Sequence, residues 1–131
     1  AAPKLLDLLA LDEDGFRRRF RNSPVQRAKR RGLLRNVCVA LGNWGDPVAV
    51  PGLVEVLNDS EPLIRGHAAW ALGRIAIAQR AEDRSQIWQA MNARQTTETD
   101  PFVRHEIVRA LDSNPEHRGL TEARISLTPD T

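Results

Sequence analysis

The chain has 131 residues, 41% of them hydrophobic and 27% charged, which fits one folded domain and excludes a disordered segment. A single Cys excludes an internal disulfide and a cluster ligated by four thiolates of this chain. With no leader-like stretch and no run of membrane-spanning length, it predicts a reducing, cytosolic setting away from membranes. The formal net charge of +2 is polarised: residues 15–45 hold nine Lys or Arg and no acid, leaving ten basic against seventeen acidic side chains elsewhere. Such a block is the electrostatic footprint of a phosphate-bearing partner.

In chain order, residues 3–10 and 12–21 predict an N-terminal helical pair within residues 1–22. Ser23-Pro24-Val25-Gln26 is a helix start, with Ser23 as cap, Pro24 at the first helical position and Gln26 able to reach back. A basic helix follows, which Gly32 is expected to end or kink. If it continues, Arg27, Arg31 and Arg35 share one side at i, i+4, i+8, while Leu34, Val37 and Leu41 form a core-facing stripe. Cys38, between Val37 and Val39, reads as a buried, inert thiol. Trp44 lies in a turn, placed either to pack under the next helix, which is the expectation, or to stack on a ligand, and Trp70 and Trp88 read as core.

Helices are next expected over roughly 47–57 and 84–95, between segments that repeat. Glu61-Pro62-Leu63-Ile64-Arg65, ending Ala71-Leu72, superimposes on Asp100-Pro101-Phe102-Val103-Arg104, ending Ala110-Leu111, at an offset of 39. A third, degenerate copy runs from Leu33 to Gly42, with Arg35 one position later than the repeat expects its arginine. Helix pairs with a period in the thirties to forties are the signature of HEAT-type solenoids. The predicted fold is all-α: HEAT-like repeats over 23–113 stacked as a right-handed α-α superhelix, with an irregular tail over 114–131. The whole of 1–131 reads as one domain, and as a monomer.

His67, His105 and His117 have no partner at metal-ligand spacing, and no phosphate loop, hydrolase elbow or zinc motif is present. Nothing in the chain reads as catalytic. The basic helix is the candidate site, rich in arginine over lysine, which suits forked hydrogen bonds to phosphate oxygens.

The string from Phe16 to Pro24, followed by Arg27-Ala28-Lys29-Arg30-Arg31-Gly32-Leu33-Leu34-Arg35-Asn36, resembles the C-terminal region of epoxyqueuosine reductases. So do Ala40-Leu41-Gly42-Asn43 and Ile64-Arg65-Gly66-His67-Ala68-Ala69-Trp70-Ala71-Leu72-Gly73, so that the likeness spans about residues 4–76. The resemblance implies a parent enzyme that reduces the epoxide of a modified wobble base in tRNA, using cobalamin and two [4Fe–4S] clusters. Those cofactors belong to an N-terminal catalytic region and a ferredoxin-like module, and none of their ligands carries over to a residue here. It further implies that this domain helps hold the tRNA anticodon arm and faces its own catalytic and ferredoxin-like modules. Arg27, Lys29, Arg30, Arg31, Arg35, Asn36, Arg65 and His67 are the candidate tRNA-binding residues, with Arg30 taken as a solvated position. The alternative is a HEAT-repeat scaffold for protein–protein interaction, docking an acidic partner on the basic face.

Overall fold

The computed structural model describes residues 2–19, 26–79 and 81–114, so Ser23, Pro24, His117 and the tail beyond Asn114 lie outside the described residues. Seven α-helices are described: α1 (Ala2–Leu9), α2 (Glu13–Arg19), α3 (Gln26–Trp44), α4 (Val50–Val56), α5 (Pro62–Ile77), α6 (Ala81–Gln95) and α7 (Pro101–Asp112). A short 3₁₀ turn, Pro47–Ala49, leads into α4. Among the described residues there is no strand, in keeping with the all-α repeat fold.

Local chemistry sets the helix ends. Asp46 accepts from the Val48 N–H and Asp100 from the Val103 N–H at 3.1 Å, each followed by a proline that needs no donor there. At the start of α5, Glu61 makes no side-chain cap, and the Asp59 carboxylate accepts from the Glu61 N–H at 2.9 Å. α3 stops at Gly45, whose positive φ of 77° and N–H to the Leu41 carbonyl close the last turn. Gly32 neither ends nor kinks α3, which runs through it unbroken. Its Cα faces open space, so the missing side chain removes no packing and the flanking turns carry the helix.

α3, α5 and α7 lie side by side in one layer, with α5 packed between the other two, while α4 and α6 cover it from the other side. Leu34, Val37 and Leu41 are buried, as the stripe predicted, together with Leu53, Leu57, Ile64, Leu72, Ile75, Ile87, Met91 and Ile107. Small residues bring the layer together: a Cβ on Gly42 would lie 2.8 Å from the Trp70 ring and 3.0 Å from the Ala71 backbone. Trp88 is buried as expected, but two aromatic expectations are corrected. Trp44 closes α3 at 45% exposure instead of packing under α4, because α4 starts only after the Asp46–Ala49 turn has redirected the chain. Trp70 is half-buried, lying across Gly42 on the solvent side of the layer.

No described helix is long and apolar enough to cross a membrane.

Candidate functional site

The continuity of α3 decides how its basic residues are displayed. Lys29, Arg35 and Asn36 are exposed. Arg31, Arg35, Cys38 and Gly42 follow four-three-four spacing, which puts both arginines on the flank of α3 that turns to α5. Arg31 confirms that placement: its side chain, 42% exposed, reaches Glu61 just ahead of α5 at 3.6 Å. That is a loose ion pair, and the Arg31 Nε is buried without a hydrogen-bond acceptor. Arg35 turns its Nε and Nη2 to the Asn36 amide oxygen at 3.4 and 3.3 Å, an interaction between neighbours that leaves most of its donors to solvent. Arg27 belongs to α3, but its side chain lies outside the described residues. Arg17, Arg18 and Arg19 are exposed at the end of α2, extending the positive field beyond α3.

Arg30 is different, and the solvated position expected of it is corrected. It is only 4% exposed, forks onto both carboxylate oxygens of Asp59, and donates from Nε to the Leu11 carbonyl at 3.1 Å. One residue's step around the helix turns it 100° from Arg31, into the junction of α3 with the Asp59 loop and the α1–α2 turn. Arg65 is likewise buried and structural. Its Nε and Nη2 bind Glu98 at 2.8 and 3.0 Å, and its Nη1 donates to the Asp59 carbonyl at 2.9 Å.

These bonds recur at the offset read from the sequence. Arg104 donates to the Glu98 carbonyl at 2.9 Å as Arg65 does to that of Asp59, 39 residues earlier. Arg30 on α3 and Arg65 on α5 each reach forward to the carboxylate that ends their own helix pair, after α4 and after α6. The repeat arginine of the first copy is therefore Arg30, one turn ahead of the position expected, and not Arg35. The missed signal was the pairing of Asp59 with Glu98 at the repeat offset.

Glu98 is the hub of this lattice. Burial alone would push its carboxyl up, but hydrogen bonds from Arg65, the Asp100 N–H and Arg94, with the charge of Arg65, hold it at about 2. The Arg65 guanidinium is raised in turn by its hydrogen bonds to Glu98, against its own burial.

His67 is half-buried on α5, where its Nδ1 donates to the Leu63 carbonyl at 2.8 Å and its ring tilts against Phe102 at 5.7 Å. A carbonyl can only accept, so Nε2 is the nitrogen left for another partner. Lys29, Arg31, Arg35 and Asn36 thus share α3 as accessible groups, whereas Arg30 and Arg65 are committed to the repeat junctions.

The Cys38 thiol is buried and pushed up to about 12, by burial and then by the charge of Asp59. Among the described residues no three His, Cys, Asp or Glu side chains gather to hold a metal ion.

A family model for HEAT repeats matches residues 26–112, and the chain belongs to that family. Its relatives are more particular. It is 34% identical over 113 residues to an uncharacterized protein from the gldA 3' region of Geobacillus stearothermophilus, covering 86% of this chain and 49% of that one. It is 36% identical over 84 residues to the epoxyqueuosine reductase of Bacillus subtilis (63% and 22% covered), and 30% identical over 115 to that of Staphylococcus aureus (87% and 28%). The resemblance read from the sequence is borne out. The chain spans about half the length of the first relative and about a quarter of the reductases.

Proposed function

We propose that this chain is the tRNA-binding HEAT-like domain of an epoxyqueuosine reductase, a single helical domain assisting reduction of epoxyqueuosine to queuosine in tRNA. The observation that carries the reading is the basic block: nine cations without an acid in residues 15–45, of which Arg17, Arg18, Arg19, Lys29 and Arg35 are exposed and Arg31 only loosely paired. Arg31 and Arg35 are one turn apart on one flank of α3, a spacing at which two forks meet one phosphodiester backbone. The Arg31 side chain is 42% exposed, which leaves part of its guanidinium open to a phosphate oxygen. Arg30 and Arg65 hold the repeats that carry this helix, without touching the nucleic acid. In the parent, cobalamin and two [4Fe–4S] clusters supply the redox chemistry from the catalytic and ferredoxin-like modules, and this domain holds the anticodon arm against them.

The test is an electrophoretic shift with tRNA across a salt series. Binding weakens with salt, and the log–log slope falls by about 0.7 to 0.9 for each phosphate that a substitution releases. Lys29→Glu/Arg31→Glu/Arg35→Glu abolishes most of the binding while leaving the melting transition in place. Equal affinity of the triple variant and the wild type for tRNA refutes the assignment.

A further inference from the structure

On the solvent side of the α3–α5–α7 layer, Leu63, His67, Trp70, Arg74 and Ile77 form one stripe along α5. Between that stripe and α7 lies a groove of about 250 Å³, walled by Trp70, Arg74 and Ile77 on one side and Glu106, Arg109 and Ser113 on the other. Neither of its two cations makes a close ion pair among the described residues. Arg74 lies over the Trp70 ring, 5.6 Å from its centroid, and Arg109 reaches Glu106 only at 3.8 Å with its side chain 66% exposed. Ile77 is 67% exposed, an apolar residue at the same rim.

From this arrangement we propose that the groove is a subsite for one unpaired nucleotide of an RNA strand. Trp70 holds the Arg74 guanidinium by cation–π attraction, so its outer plane is presented as a platform on which a base stacks. Ile77 covers the edge of that base, and Arg109, across the groove, takes the adjoining phosphate. The charge fits: two arginines stand against one acid, and that acid is half-committed to Arg109. Arg35 stands on the flank of α3 that turns to α5, so a strand held at α3 crosses the layer to reach the groove. The platform distinguishes this subsite from the basic block, whose forks grip phosphates of paired and unpaired strands alike. The inference rests on the nucleic-acid reading above, and extends it to a site on other helices.

The experiment measures the affinity of the whole chain for a short unstructured RNA and for a fully paired RNA hairpin without unpaired stem bases. It compares wild type, Arg74→Ala/Arg109→Ala, Trp70→Leu and the α3 triple variant. Both substituted arginines are exposed, so the double variant keeps its fold, which the melting curve checks. The double variant is expected to lose about tenfold on the unstructured RNA and less than twofold on the duplex, about the worth of one stacked base. Trp70→Leu reproduces the loss on unstructured RNA if its fold persists, and the double variant decides if it does not. Unchanged affinity of the double variant for unstructured RNA overturns the subsite, and so does an equal loss on both RNAs, while loss by the α3 triple variant leaves the wider function standing. Retained tRNA binding by the triple variant refutes the α3 assignment without touching the groove. Binding of a heptaglutamate peptide in the groove, with no RNA bound by the wild type, overturns both.

Discussion

Glu98→Gln isolates the junction between helix pairs, because the amide keeps the shape of the carboxylate and removes its charge. The wild-type carboxylate accepts from Arg65 at 2.8 and 3.0 Å, from Arg94 at 3.0 Å, and from the Thr99 and Asp100 N–H groups at 3.1 and 3.0 Å. Removing its charge leaves the buried Arg65 guanidinium uncompensated, a loss of about 3–5 kcal/mol at neutral pH. The pH dependence gives an independent magnitude. A carboxyl lowered from its usual 4.5 to about 2 contributes about 3 kcal/mol of stability. Because the folded-state value is the depressed one, that contribution is complete above about pH 4.5 and disappears as pH falls through about 2. Urea unfolding of both proteins, followed by circular dichroism from neutral pH downward, measures it. The gap between wild type and variant should be widest at neutral pH and shrink by about 3 kcal/mol below pH 4.5. A gap that stays constant through that range refutes the argument that this charge bolts the junction.

Arg30→Ala should cost about 3–5 kcal/mol in urea unfolding, since it strands the Asp59 carboxylate, whereas Arg35→Ala stays within about 0.5 kcal/mol; equal costs would contradict the burial difference. Leu72→Ala, fully buried between repeats, should cost about 2–5 kcal/mol by the same measurement. Gly32→Ala should raise stability by about 0.5–1 kcal/mol, the new methyl meeting open space on a continuous helix, and destabilisation would mean that α3 breaks there. Cys38 should resist a thiol reagent in the native protein and react on unfolding, its thiol being held at about 12.

Much of this fold is legible in the sequence because the signals are periodic. The Leu34, Val37 and Leu41 stripe, the Asp100-Pro101 start and the offset of 39 between Arg65 and Arg104 each name a geometry that the helices adopt. The site is less legible. Arg30 and Arg31 are neighbours of one charge and one chemistry, and only the packing of α3 decides that one is sealed against Asp59 while the other faces Glu61 at the surface. A run of arginines reveals the field but not which members are spent on the scaffold, and the carboxylate that claims Arg30 lies 29 residues downstream. Trp44 fails for a related reason: the turn that exposes it is set by the Asp46 cap beyond it.

The forward-reaching arginines tie the first helix of each pair to the loop that leads from that pair into the next. Each pair is then fastened at the point where the next one starts, and the array behaves as a chain of coupled neighbours, not as independent beads. Weakening one seam lets the stack part there while the pairs on either side stay helical. Removing the Glu98 charge by substitution would therefore loosen α7 from α5 and open the groove between them, while α3, held by Arg30 to Asp59 at a different junction, keeps its basic flank in place.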